Sequence, residues 1–287
     1  MMLAAAGYAL VGVDYEGHGL SAGRHGYIRS FTQLADDVIE FANRLRAKPR
    51  FAHLPFFLYG ESMGGAMAIQ VARRDPTPWS GAVLVAPMCK MAQELIPPAP
   101  VIFVLKCLSY IFPTWKLVPV SANPDVCFQV PEKRERAENH PFAYQDKPRL
   151  ATALQLLRTT QDIGAHMEEV TVPLLILHGA KDMVTDPAAS QELFIRSSSS
   201  DKEIKIYEGC WHALTCGEPD DVIARVVGDI IAWLNARSLP PGSAPPGAAP
   251  PGGVVDGAVP PGVVEAGGGG EVGDAAADDE MSSTVTS

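Results

Sequence analysis

Pro55-Phe56-Phe57-Leu58-Tyr59-Gly60-Glu61-Ser62-Met63-Gly64-Gly65-Ala66-Met67 is the stretch that decides how this chain folds. The apolar run Pro55–Tyr59 reads as a buried strand. Ala66–Arg74 reads as a helix of strong helix formers, ending in two arginines that suit its carboxyl end. Between them stands G-x-S-x-G. Strand, tight glycine turn and helix are the setting in which that pattern makes a nucleophile elbow; outside that setting it arises readily by chance. Gly60 and Gly64 are expected to remove side chains that would clash in so sharp a turn. Ser62 is then expected at the helix N-terminus, where backbone N–H groups favour a developing negative charge.

Two further strand ends carry polar residues in the order that such a serine requires. Val172-Pro173-Leu174-Leu175-Ile176-Leu177 reads as a buried strand running into His178-Gly179-Ala180-Lys181-Asp182. Glu203-Ile204-Lys205-Ile206-Tyr207 reads as another, running into Glu208-Gly209-Cys210-Trp211-His212. Parallel sheets gather their sites at the carboxyl ends of strands. Ser62, Asp182 and His212 would each sit at one. A serine hydroxyl is a weak nucleophile until a base takes its proton. His212 suits that base, and an aspartate suits the role of fixing its tautomer. Asp186 rivals Asp182, but Thr185-Asp186-Pro187 reads better as a helix cap followed by proline at the first helical position. His178 reads as a hydrogen-bonded loop residue and His18, in Gly17-His18-Gly19, as a residue that holds loops. Cys210 reads as a packed small residue, not a second nucleophile.

Composition divides the 287 residues near position 238. Residues 1–86 and 170–237 alternate strand-like and helix-like segments, which predicts an α/β sandwich with a mostly parallel sheet. Met1–Ala6 reads as helix capped by Gly7, Tyr8–Asp14 as a strand, and Ile28–Arg46 as an amphipathic helix with Ser30 as cap. Asp220–Arg237 reads as the last helix, turning Val222, Ile223, Val226, Val227, Ile230, Ile231 and Leu234 inward. Residues 88–150 break the alternation. They hold the apolar helix Val101–Phe112, too short to span a bilayer, and the charged run Glu132–Arg136. That helix either packs onto the core or presents an apolar face to acyl chains or a membrane surface. Residues 238–287 hold paired prolines, Gly and Ala with no aromatic residue, a composition that cannot build a core and predicts disorder. Their seven acidic residues, with no Lys or Arg, account for most of the net charge of −10. The remainder, near −3, argues against nucleic-acid binding. Five scattered cysteines without C-x-x-C spacing predict free thiols and no metal site.

Several collinear stretches carry a resemblance. They are Asp14-Tyr15-Glu16-Gly17-His18-Gly19, Gly60–Gly65, Pro87-Met88-Cys89-Lys90, Pro113-Thr114-Trp115-Lys116, Tyr144-Gln145-Asp146-Lys147-Pro148-Arg149, His178–Asp186 and Trp211-His212-Ala213-Leu214. Over residues 5–237 the chain resembles plant monoacylglycerol lipase-like α/β-hydrolases, of the serine aminopeptidase S33 type, the group that includes caffeoylshikimate esterase. The resemblance implies an α/β-hydrolase core in two parts, 1–87 and 151–237, with a helical cap inserted at 88–150 and a tail at 238–287. It implies a serine ester hydrolase with Ser62, Asp182 and His212 as its triad and no cofactor. The substrate would be a small ester or acyl lipid, such as a monoacylglycerol or lysophospholipid. The setting would be cytoplasmic, with peripheral membrane contact through the cap. Alternatives on the same fold are a ligand-binding homologue with slow turnover, an acyltransferase, or a peptidase.

The resemblance fails at the front. In that family a His-Gly loop ahead of the first helix supplies the second oxyanion donor, the first being the Met63 N–H. No His-Gly pair precedes the first helix here. The expectation is therefore a chain that starts inside a longer gene product, lacking a strand that would lie between Tyr8–Asp14 and Pro55–Tyr59. A fragment inactive for want of that donor is the corresponding reading.

Overall fold

The computed structural model describes residues 2–90, 97–118, 124–144 and 146–238. The Pro/Gly-rich tail predicted from residue 238 lies, from 239 onward, outside the described residues; Ser238 itself ends a helix.

Four strands form one parallel sheet in strict chain order: β1 (Phe57–Glu61), β2 (Gly81–Val85), β3 (Leu174–Gly179) and β4 (Lys202–Tyr207). Tyr59 lies opposite Val83, Leu84 opposite Ile176, and Leu177 opposite Lys205. Every residue of β2 and β3 is buried. Their near-continuous apolar runs are what a parallel strand covered on both faces requires. β4, Lys-Glu-Ile-Lys-Ile-Tyr, carries charge in keeping with an outer position.

The side-chain alternation of the strands splits the core in two. Leu58, Ala82, Leu84, Leu174 and Ile176 pack with α2 (Phe31–Arg46), α3 (Met63–Arg74) and α7 (Pro187–Arg196), together with Ile163 of α6 (Leu150–Ala165). Val83, Val85, Leu175, Leu177 and Tyr207 pack on the other face with α8 (Asp220–Ser238). Leu3 of the short helix α1 (Met2–Ala5) joins that second face. The arrangement is the predicted α/β sandwich, with helices on both faces of a parallel sheet.

Local signals act as expected at several ends. The Ser30 side chain caps α2 by accepting from the Gln33 N–H, and Asp186 caps α7 by accepting from the Ala188 N–H at 2.9 Å. Gly7 follows α1 with φ +90°. α8 buries Val226, Val227, Ile230, Trp233 and Leu234. Trp233 was absent from the predicted inward face, while Ile223 and Ile231 sit only at its margin.

One predicted element is not formed. Tyr8–Asp14 is not a strand, and Leu10, Val11 and Val13 are exposed. An extended segment gains stability only through a paired neighbour, and among the described residues β1 pairs with β2 alone. Between β2 and β3 the described residues hold α4 (Ala99–Ile111), α5 (Pro131–Glu138) and α6. α4 packs against α6, yet buries only Ser109, leaving Val101, Phe103, Val104, Tyr110 and Ile111 exposed. No helix among the described residues is long and apolar enough to cross a membrane.

Candidate active site

The turn after β1 is under backbone strain. Ser62 has φ +52° and ψ −115°, a region that non-glycine residues rarely occupy. Such strain costs about 1–3 kcal/mol and persists only where surroundings over-determine it. Here the backbone is clamped on both sides. Ser62 N–H donates to the Val85 carbonyl at 3.0 Å, and the Ser62 carbonyl accepts from Met88 N–H at 2.9 Å and Gly65 N–H at 3.0 Å. The serine is thereby stitched to the end of β2, where Ala86 is the other non-glycine residue with positive φ among the described residues (+43°). The Ser62 hydroxyl makes no capping hydrogen bond to α3. Met63 opens α3, so its N–H belongs to the first turn, where amides have no intrahelical partner.

The glycine requirement differs in part from the expectation. A Cβ on Gly60 would lie 2.2 Å from the Gly64 carbonyl oxygen, so Gly60 is required. A Cβ on Gly64 would meet nothing within 4 Å. The second tight approach is at Gly65, where a Cβ would sit 2.7 Å from Pro87 Cβ. The clash foreseen at Gly64 thus falls one residue later, because α3 turns that position against the chain leaving β2.

At the end of β3 the Asp182 side chain is fully buried and completely engaged. Oδ1 accepts from the Val184 N–H at 2.7 Å and the Thr185 N–H at 3.0 Å. Oδ2 lies 2.7 Å from His212 Nδ1, 3.0 Å from His178 Nε2 and 2.8 Å from Thr185 Oγ1. Burial pushes the carboxyl pKa upward, but the His178 and His212 hydrogen bonds, the His212 charge and the Val184 amide outweigh it. Asp182 is held well below the ordinary carboxylate range. Asp186 is occupied with its cap and does not compete.

His178 is not a loop residue. It lies within β3 with no exposed surface, its Nδ1 2.7 Å from Ser190 Oγ. With Ser190 donating to Nδ1, the proton resides on Nε2, facing Asp182. His178 and Thr185 are the contacts to Asp182 that the sequence reading missed. The signal available was their place three and four residues from the aspartate, between a strand end and a helix cap.

His212, with a side chain 12 % exposed, sits in the irregular segment 208–219 that follows β4. The structure therefore joins Asp182 to His212 directly, and places Ser62 at the same end of the sheet. Thr185 Oγ1 lies 3.2 Å from the Ala86 carbonyl and 3.3 Å from His212 Nδ1, so one hydroxyl touches the strained β2 end, the acid and the imidazole. Cys210 is buried, its thiol pKa raised by that burial, as a packed residue's would be. His18 Nδ1 meets the Glu16 carbonyl within its own loop. A cavity of about 530 Å³ lies elsewhere, between α4, α6 and α7, and none of Ser62, Asp182 or His212 lines it.

Comparison with known proteins places the chain in a family. The family model described as serine aminopeptidase, S33, matches residues 1–220. Caffeoylshikimate esterase of Arabidopsis thaliana is 33 % identical over 238 residues, covering 83 % of this chain and 72 % of that protein. Human monoglyceride lipase is 29 % identical over 231 residues, 80 % of this chain and 74 % of that protein. Among solved structures, the monoacylglycerol lipase of Paleococcus ferrophilus superposes with a TM-score of 0.72 at 24 % identity, covering 83 % of this chain and 87 % of that one. A soluble variant of the monoglyceride lipase of Saccharomyces cerevisiae gives 0.70 at 19 % identity, covering 79 % and 77 %. The sheet order, the flanking helices and these likenesses together show an α/β-hydrolase fold. The chain belongs to the serine aminopeptidase S33 family, among relatives that include monoglyceride lipases and caffeoylshikimate esterase.

Proposed function

We propose that this chain is a serine ester hydrolase that works through an acyl-enzyme on Ser62. The observation that carries the reading is the 2.7 Å contact between His212 Nδ1 and a fully buried, fully hydrogen-bonded Asp182, set at the sheet end that also holds a strained Ser62. In this reading His212 Nε2 takes the Ser62 proton as Oγ attacks the ester carbonyl carbon. The C–O bond to the alcohol then breaks, and His212 returns the proton to the leaving oxygen. Water, deprotonated by the same imidazole, cleaves the acyl-enzyme. Asp182 stays ionised throughout and holds the tautomer that keeps Nε2 free. Met63 N–H is the oxyanion donor in this scheme.

The proposed substrates are monoacylglycerols, lysophospholipids or related small esters. Residues 88–150 are proposed as a cap, and the exposed apolar side chains of α4 as the surface that meets acyl chains or a membrane. The free thiols of Cys89, Cys107, Cys210 and Cys216 fit a reducing, cytoplasmic setting. The test is labelling of the purified chain with a fluorophosphonate, mapped by peptide mass, beside Ser62→Ala. Label on Ser62 that is lost in the variant is the expected result. No label at Ser62 in a folded chain would overturn the reading in favour of a non-catalytic homologue.

A further inference from the structure

The segment that carries His212 has no regular secondary structure between the end of β4 and the start of α8. Its hydrogen bonds must therefore fix the base, and they come from several directions. Asp182 holds the imidazole. The Cys127 carbonyl accepts from the Ala213 N–H at 3.0 Å, and the Gly217 carbonyl accepts from Val130 N–H at 2.9 Å. The buried Glu218 accepts from the Trp211 N–H at 2.6 Å. A further tie runs to the elbow itself. Thr215 Oγ1, three residues beyond His212, donates to Glu61 Oε1 at 2.5 Å, and the Tyr59 hydroxyl donates to the same oxygen.

Glu61 is the residue immediately before Ser62. Its carboxylate lies on the same face of β1 as Tyr59, since the two are two positions apart on a strand. Tyr59 packs against the α8-side core, which fixes one end of the tie. Burial, and next the nearby Glu61 charge, raise the Tyr59 pKa, so it stays a donor across the working pH range. A carboxylate with two hydroxyl donors makes charge-assisted bonds, roughly twice as strong as neutral ones.

We propose that Glu61 and Thr215 form a strut that sets the distance between the nucleophile and the base, with both acting as positioning residues. The proposal deepens the serine hydrolase reading and rests on it for its kinetic part. Asp182 fixes the orientation of the imidazole, but it stands on a different strand end from Ser62. The strut is the direct side-chain bond between the elbow strand and the His212 segment. A displacement of about 1 Å at such a site costs up to about a hundredfold in rate.

The experiment compares wild type with Thr215→Val, Thr215→Ser and Glu61→Gln. It measures kcat and KM on p-nitrophenyl butyrate, melting temperature, and the downfield proton resonance of the imidazole N–H shared by His212 and Asp182. Thr215→Val is expected to lower kcat about tenfold with KM nearly unchanged, and to broaden that resonance. Thr215→Ser restores the hydroxyl and recovers most of the loss. Glu61→Gln keeps an acceptor and loses less than Thr215→Val. Wild-type kcat and an unchanged resonance in a folded Thr215→Val protein overturn the proposal. So does a loss of kcat that follows melting temperature and is not recovered by Thr215→Ser. If wild type neither hydrolyses the ester nor takes a fluorophosphonate, the hydrolase reading has failed. The resonance then decides the strut alone: broadened in Thr215→Val and kept in Thr215→Ser it stands, unchanged in both it falls.

Discussion

Ser62 occupies a backbone conformation that its own side chain disfavours, so its neighbours must supply the room. Gly60 and Gly65 do so, by closest approaches of 2.2 Å and 2.7 Å for an added Cβ, while Gly64 has open space. Gly60→Ala is accordingly expected to cost about 3 kcal/mol or more, because the obstruction is backbone that cannot rotate away. Gly65→Ala is expected to cost about 1–3 kcal/mol, somewhat less than Gly60→Ala, because its closest approach is the longer one, although the Pro87 ring and backbone it meets must move. Gly64→Ala is expected to be neutral or slightly stabilising, alanine being the better helix former by about 1 kcal/mol. Urea unfolding of the three variants checks the order, and a Gly64→Ala protein as damaged as Gly60→Ala would contradict it. The sequence showed which serine stands on the turn, because the G-x-S-x-G pattern lies between a strand-like and a helix-like run. It could not show which glycine is crowded. That depends on Pro87, which the sheet brings back from 22 positions further along.

At the scale of elements, the helices over one sheet face are joined by an unequal set of ion pairs. Arg73 of α3 reaches Asp162 of α6 at 2.7 Å and Glu169 at 2.6 Å, with its own side chain only 10 % exposed. Arg44 and Glu40 of α2 also pair, but at 75 % and 61 % exposure. Solvent screens the second pair almost completely. Arg73→Ala leaves Asp162 held by Gln70 and His166 but takes both guanidinium bonds from the half-exposed Glu169, so a loss of about 1–2 kcal/mol is expected, against less than about 0.5 kcal/mol for Arg44→Ala. Denaturant midpoints of the two variants decide it; equal shifts would mean that the α3–α6 junction owes nothing to Arg73. The pairing illustrates the limit of reading elements from sequence. Helix ends were legible from Ser30, Asp186 and Gly7, each a local signal. The Tyr8–Asp14 strand was misread, because an apolar run reports β propensity and not the presence of a neighbour to pair with.

For the whole molecule, Asp182 links acidity to stability. Its carboxyl lies well below the ordinary range when folded, so below about pH 4 the unfolded chain binds more protons than the folded one. The stability it contributes is complete above that pH and is lost as pH falls toward the folded value. Asp182→Asn is expected to flatten the fall of unfolding free energy between about pH 5 and pH 2, measured by urea titration at stepped pH. Identical slopes in the two proteins would show that the carboxyl plays no part. The sheet's strand order has a different consequence, for synthesis. Among the described residues each strand pairs only with those adjacent to it in the chain, so β1 and β2 can join as soon as both have left the ribosome. β3 begins 89 residues after β2 ends, an interval of about 4–18 s at about 5–20 residues per second. During that interval the fully apolar β2 has an open edge, and the nascent chain is most in need of a chaperone before β3 exists to cover it.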